Sequence, residues 1–129
     1  MPYTIIIPIY NEEESLPLLL KQLKIFSKKN QILFINDGSN DSSKFLLESC
    51  NYINSINLSS NLGKGIAIRE GIKKAKFNKI IITDGDLELD TSEIKSMMIL
   101  DKTKNINFVI GSRYTKIKPF NSLWNFGNF

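Results

Sequence analysis

The chain contains no histidine, so chemistry that needs an imidazole base or an imidazole metal ligand is excluded. It has a single cysteine, Cys50, which rules out an internal disulfide and suits a reducing compartment. No apolar run approaches the ~20 residues that span a bilayer. The opening Met-Pro-Tyr-Thr has no basic n-region and the apolar run over 5–9 is short, so no secretory leader is expected. There is also no acidic side chain after Asp101.

What is present is ordinary for a globular domain. In 129 residues, 42% are apolar and 23% charged, which argues for one domain and against disorder or a disulfide scaffold. The net charge is +4 and unevenly spread: 6 basic and 6 acidic residues up to Lys64, then 11 basic and 7 acidic. The last stretch combines Lys102, Lys104, Arg113, Lys116 and Lys118 with Phe108, Tyr114, Phe120, Trp124, Phe126 and Phe129. Such a mixture is either a solvated basic face or a surface for nucleic acid, membrane or an anionic substrate.

Short β-rich runs alternate with helical ones. Residues 3–9 form a continuous apolar run that reads as a buried strand. Leu16, Leu19, Leu20, Leu23 and Phe26 keep helical spacing and predict a helix over 13–27, with Pro17 tolerated near its first turn. Strands are expected over 31–36, 55–58, 79–83 and 107–111. Helices are expected over 42–50, 66–76 and 92–100, with Ile68, Ile72 and Ala75 facing inward on the second and Ile94, Met97 and Met98 on the third. This alternation predicts an α/β fold with a mostly parallel sheet. Ligands in such folds gather at the carboxyl ends of strands. Four turns should therefore line one edge: 8–12, 36–39, 84–88 and 111–114.

Those turns carry the chemistry. Asp84, Asp86 and Glu88 alternate, so in an extended segment they share one side and repel one another unless a cation sits between them. Oxygen-only ligands suit Mg²⁺ or Mn²⁺, and Mg²⁺ is commonly shared with substrate phosphates. The alternative is a solvated acidic turn. Asn61-Leu62-Gly63-Lys64-Gly65 opens a helix, and its glycines and Lys64 can receive an anion or simply make a turn. It lacks the spacing of a phosphate-binding Walker loop. Arg69, one turn further on, either faces the ligand edge or pairs with an acid. Asp37-Gly38-Ser39 is either a base or ribose contact or a plain turn, with Asp41 or Ser42 capping the next helix. Cys50 reads as a small buried hydrophobe, because no histidine is present to activate it.

In order and spacing, these turns resemble family 2 glycosyltransferases of the GT-A type. Pro8-Ile9-Tyr10-Asn11-Glu12 resembles the opening P-x-Y-N-E, and Asn36-Asp37-Gly38-Ser39-Asn40-Asp41 resembles D-D-G-S-x-D. Gly63-Lys64-Gly65-Ile66-Ala67 with Arg69 and Gly71 resembles G-K-G-x-A-x-R-x-G. Asp84-Gly85-Asp86-Leu87-Glu88-Leu89-Asp90 resembles D-A-D-L-E-Y-D, and Gly111-Ser112-Arg113-Tyr114 resembles G-S-R-[FY]. The nearest subgroup is similar to dolichol-phosphate mannose synthases and related polyprenyl-phosphate sugar transferases.

The resemblance implies a Rossmann-like nucleotide-sugar-binding domain over 1–129, ending short of the acceptor part. It implies that Pro8, Tyr10, Glu12, Ile35, Asp37 and Lys64 contact the donor nucleotide sugar. Asp84, Gly85 and Asp86 would hold the diphosphate, and Asp84, Asp86 and Glu88 a Mg²⁺ or Mn²⁺ ion. Asp86 and Arg113 would act in catalysis, Arg113 by meeting phosphate charge. Asn36 departs from the usual aspartate. The implied reaction is metal-dependent, inverting transfer of a sugar from GDP-mannose or a UDP-sugar to an acceptor, with a polyprenyl phosphate bringing its own ionised nucleophile. A cytoplasmic chain is expected, peripheral at the membrane face, with the aromatic tail meeting a membrane or a second copy. The rival readings are an inactive nucleotide-binding fragment, a basic nucleic-acid module and a sugar nucleotidyltransferase. The last would place a basic glycine-rich loop where Asn11-Glu12-Glu13-Glu14 stands.

Overall fold

An isoleucine run without polar alternation must be covered on both faces. In the computed structural model, which describes residues 2–85, 91–104, 108–112 and 115–119, that cover comes from helices on either side of one sheet. The elements run β1 (Thr4–Ile9), α1 (Leu16–Leu23) followed by a 3-10 turn (Lys24–Phe26), β2 (Gln31–Asn36), α2 (Ser43–Glu48), β3 (Asn54–Asn57), α3 (Lys64–Lys74), β4 (Ile80–Ile82), α4 (Thr91–Lys104), β5 (Phe108–Ser112) and β6 (Thr115–Pro119). The sheet order is β3-β2-β1-β4-β5-β6. All neighbours are parallel except β5 and β6, which are antiparallel. The expected α/β architecture with a mostly parallel sheet is therefore present.

Period-2 alternation sorts the strand side chains between two cores. Ile5, Ile7 and Ile9 of β1, Ile32 and Phe34 of β2 and Ile81 of β4 point to one side, against Leu16, Leu19, Leu20 and Leu23 of α1, Leu47 of α2 and Ile94 and Met97 of α4. Ile6, Leu33, Ile35, Ile80 and Ile82 point to the other side, against Ala67 and Ile68 of α3. Each isoleucine or leucine so buried contributes about 1.5–3 kcal/mol. Cys50 is half-buried against the first core, as a small apolar side chain would be. Tyr52 ties the entry to β3 onto α1 by donating to the Leu20 carbonyl at 2.6 Å. Burial, with help from Cys50, pushes the Tyr52 hydroxyl up to about 12.

Several boundaries differ from the sequence reading. The first helix is α1 plus the 3-10 turn rather than 13–27, because Glu12 to Ser15 form a turn in which the Glu12 carbonyl accepts from the Ser15 and Leu16 N–H groups. The third helix begins at Lys64, two residues before the expected start, directly after Gly63 at its N-cap. β6 was not read from the sequence. Its Thr-Lys-Ile-Lys-Pro has the lysines and proline that protect a sheet edge, and these resemble loop composition. Residues 86–90, 113, 114 and 120–129 lie outside the described set, and with them Asp86, Glu88, Arg113 and the aromatics Tyr114, Phe120, Trp124, Phe126 and Phe129. Among the described residues no helix is long and apolar enough to cross a membrane.

Candidate functional site

β1 lies between β2 and β4, so the chain leaves it on one side for β2 and later returns on the other side as β4. That is a topological switch point, and a crevice opens there at the carboxyl edge. A cleft of about 250 Å³ occupies it, lined by Pro8, Ile9, Tyr10, Glu12, Asp37, Lys64, Asp84 and Gly85. Seven of these eight were singled out in the sequence; Ile9 is the exception. Ile35 does not line the cleft. It is fully buried and packs with Ile6, Ala67 and Ile68 in the core under α3. Arg69 is exposed on α3 and is not among the lining residues.

The floor of the cleft is held by two turns that bond to each other. After β1, Asn11 takes a left-handed conformation, φ 51°. Its N–H donates to Ser39 Oγ at 2.8 Å, and its Oδ1 accepts from the Asn40 N–H at 2.8 Å. The Glu12 N–H donates to Ser43 Oγ at 3.0 Å. The Glu13 N–H donates to Asp41 Oδ2 at 3.2 Å, while Glu13 Oε2 accepts from the Ser42 N–H at 2.9 Å. Asp41 Oδ1 accepts from the Ser43 N–H at 2.9 Å, so Asp41 supplies the capping contact at the start of α2, and Ser42 makes no side-chain cap. What burial Asp41 has pushes its carboxyl up, but the hydrogen bonds from Ser43 and Glu13 outweigh this and hold it below the ordinary carboxylate range.

Asp37 is 5% exposed, and both its oxygens accept backbone bonds, from Leu62 N–H at 2.8 Å and Gly63 N–H at 3.0 Å. It braces the loop before α3 against the end of β2 while presenting its edge to the cleft. Gly38 makes this close approach possible. Its φ is +74°, and a Cβ there would stand 2.4 Å from the Ser60 carbonyl carbon. Gly85 serves the same purpose on the β4 side, where a Cβ would meet Ile9 Cγ2 at 2.5 Å. Glu12 Oε2 accepts from the Ser15 hydroxyl at 2.5 Å, which fixes its carboxylate at the rim. Asn36 is buried, with Oδ1 accepting from the Ser39 N–H and Nδ2 donating to Asn57 Oδ1 at 2.9 Å. The amide at position 36 thus accepts from one neighbour and donates to the other.

Across the mouth, the Lys64 ammonium bonds to Asp84 Oδ1. Sequence reading placed both residues in the site without pairing them. The signal was available in the topology: a helix that crosses back between parallel strands begins at the carboxyl edge, where β4 ends. The serines and Asp41 that stitch the two turns were likewise not read as one unit. Their spacing gives no periodic pattern, and only the parallel pairing of β1 with β2 brings them together.

A mostly parallel sheet with helices on both faces and a charged cleft at its switch point defines a doubly wound α/β domain. Residues 4–128 match the family model described as glycosyl transferase family 2, and the chain belongs to that family. Among curated proteins it is similar to the undecaprenyl-phosphate 4-deoxy-4-formamido-L-arabinose transferases. It is 35% identical to that of Proteus mirabilis over 74% of this chain and 32% of the relative. It is 35% identical to that of Photorhabdus laumondii over 85% of this chain and 36% of the relative. The chain thus spans about one third of the length of these relatives. Solved structures share the fold. S. aureus TarS 1–349 superposes with a TM-score of 0.67 at 20% identity, over 81% of this chain and 33% of that one. The mannosyltransferase PcManGT from Pyrobaculum calidifontis, in complex with GDP-Man and Mn²⁺, gives 0.63 at 19% identity over 81% and 33%.

Proposed function

We propose that residues 1–129 are the donor-binding domain of a glycosyltransferase that passes a sugar from a nucleoside-diphosphate sugar to a polyprenyl phosphate. The observation that carries this reading is the convergence of Pro8, Tyr10, Glu12, Asp37, Lys64, Asp84 and Gly85, drawn from four separated sequence motifs, on one cleft at the sheet's switch point. The names of the undecaprenyl-phosphate transferases support the acceptor class, and the GDP-Man and Mn²⁺ of the mannosyltransferase support the donor class and the ion.

In this reading Tyr10, 42% exposed at the rim, and Asp37 at the floor receive the nucleoside. Gly85, whose lack of a side chain keeps the passage beside Ile9 open, lets the diphosphate lie against the end of β4. Lys64 stands where that diphosphate's charge falls. The described carboxylates of the cleft, Glu12, Asp37 and Asp84, are oxygen donors that fit Mg²⁺ or Mn²⁺. Asp37 is engaged by backbone, Glu12 by Ser15 and Asp84 by the part-exposed Lys64 ammonium, so among the described carboxylates Asp84 is the one best placed to turn to a cation. Among the described residues no three His, Cys, Asp or Glu side chains cluster as a metal site. Asp86 and Glu88 would complete the set with Asp84. Bound there, a divalent cation would supply neutralisation of the departing diphosphate.

Arg113 would add a second positive charge at the leaving phosphate, and Asp86 would orient the reacting sugar. The acceptor's phosphate oxygen is already ionised near neutral pH, so inversion needs no histidine base. Such a lipid acceptor supports placement at a membrane surface, taken to be the cytoplasmic face. Calorimetry with Mn²⁺ and UDP or GDP tests the donor site, with saturable heat expected. Heat no greater than dilution for both nucleotides would end the proposal. Incubation of UDP- and GDP-sugars with a polyprenyl phosphate, scored for glycolipid, tests the acceptor.

A further inference from the structure

Lys64 is the first residue of α3, and its ammonium is bonded across the cleft mouth to Asp84, 20 positions further along the chain. The Lys64 side chain is 41% exposed and that of Asp84 27%. An ion pair so placed is worth only a few-fold in an equilibrium constant, and it exchanges partners readily. The other two described carboxylates of the cleft are not in that position. Asp37 is held by two backbone N–H groups and Glu12 by the neighbouring Ser15 hydroxyl. Asp84 alone among the three is held by a flexible, four-carbon side chain.

We infer that Lys64 is a built-in counter-cation that holds Asp84 while the cleft is empty and transfers to the diphosphate when the nucleotide arrives, so that metal and nucleotide load together. The inference rests on the function proposed above. One ammonium cannot neutralise Asp84 and a diphosphate equally. A diphosphate carries more negative charge than one carboxylate, and it would lie near the first N–H groups of α3, which also attract anions. Lys64 therefore moves toward it, and Asp84 is released with an oxygen ready for a divalent ion. An ion arriving alone must instead displace Lys64 and remain close to its positive charge. Occupancy of each ligand thus favours the other, and the favour is reciprocal.

The test uses the 129-residue chain as wild type, Lys64→Met, Lys64→Gln, Lys64→Arg and Asp84→Asn. Free Mn²⁺ is followed by electron paramagnetic resonance, first with Mn²⁺ alone and then with UDP or GDP. Chelation of Mn²⁺ by free nucleotide is common to all variants and cancels in the comparison. Loss of the Lys64 charge is expected to tighten binding of Mn²⁺ alone by about three- to tenfold. The gain in Mn²⁺ affinity on adding nucleotide should shrink by a similar factor. Lys64→Arg should keep the wild-type coupling, and Asp84→Asn should weaken Mn²⁺ in both conditions. Lys64→Gln repeats the measurement if Lys64→Met loses its folded circular dichroism. Equal Mn²⁺ affinity and equal coupling in wild type and the uncharged variants, with nucleotide still binding, would overturn the inference and leave the function standing. Failure of wild type to bind either nucleotide with Mn²⁺ would overturn both.

Discussion

At the scale of single residues, the cleft depends on backbone geometry as much as on charge. Gly38 combines a left-handed φ with contact against the Ser60 backbone, so Gly38→Ala should destabilise the chain by about 2–4 kcal/mol, read as a fall in the urea midpoint. Asp41 gives a pH prediction. Its folded pKa lies below the ordinary 3.8, so its stabilising effect is present above that value and is lost as pH falls through the lower folded value. Asp41→Asn should therefore be less stable than wild type at neutral pH, and the difference should narrow below pH 3.8 in urea melts taken across the acid range. Asn36 shows why one motif position was ambiguous in the sequence. Its Oδ1 makes a local turn bond with the Ser39 N–H, but its Nδ2 donates to Asn57, and that second contact is not visible without the register of β2 on β3.

At the scale of elements, α3 links core and site. Its Ile68 is fully buried under the sheet, while its first residue, Lys64, reaches the cleft. Ile68→Ala should cost about 2–5 kcal/mol by denaturant titration. Weakened nucleotide binding should accompany the loss if α3 loosens at its start. β1 to β5 and α1 to α4 were all read from the sequence, and the pattern was plainest where it was a continuous or 3.6-period apolar one: β1, β2, β4, α1 and the inner faces of α3 and α4. Ile94 and Met97 are fully buried on α4, and Ile68 on α3, as their spacing implied. β6 and the exact starts of α1 and α3 were less legible. Lysine and proline at a sheet edge look like a loop, and the turn from Glu12 to Ser15 is set by its own bonds together with those from the Glu12 and Glu13 N–H groups to Ser43 and Asp41, which local sequence does not show. The cleft residues were legible because they sit at the ends of legible strands. The Lys64–Asp84 pair was not, because it joins a helix start to a strand end.

At the scale of the whole molecule, ligand binding should appear as stability. If the cleft takes a nucleoside diphosphate with Mn²⁺, a ligand excess of about a hundredfold over Kd adds ~2.7 kcal/mol and raises the melting temperature by roughly 5–15 °C. Removing the ion with EDTA should lower it again. A scan that shows no rise at saturating UDP and GDP would count against the donor site. The central position of β1 has a further consequence, for synthesis on the ribosome. β1 emerges first, and β2 and β3 can pair on one of its flanks once about 57 residues are out. Its other flank waits for Ile80–Ile82 and the bond from the Thr4 N–H to the Lys79 carbonyl. During that interval a nascent chain carries an unpaired, isoleucine-rich ribbon, the kind of edge that invites intermolecular association. Slow translation while residues 58–82 emerge from the ribosome would prolong that exposure, and a chaperone that recognises extended aliphatic segments would have its target there.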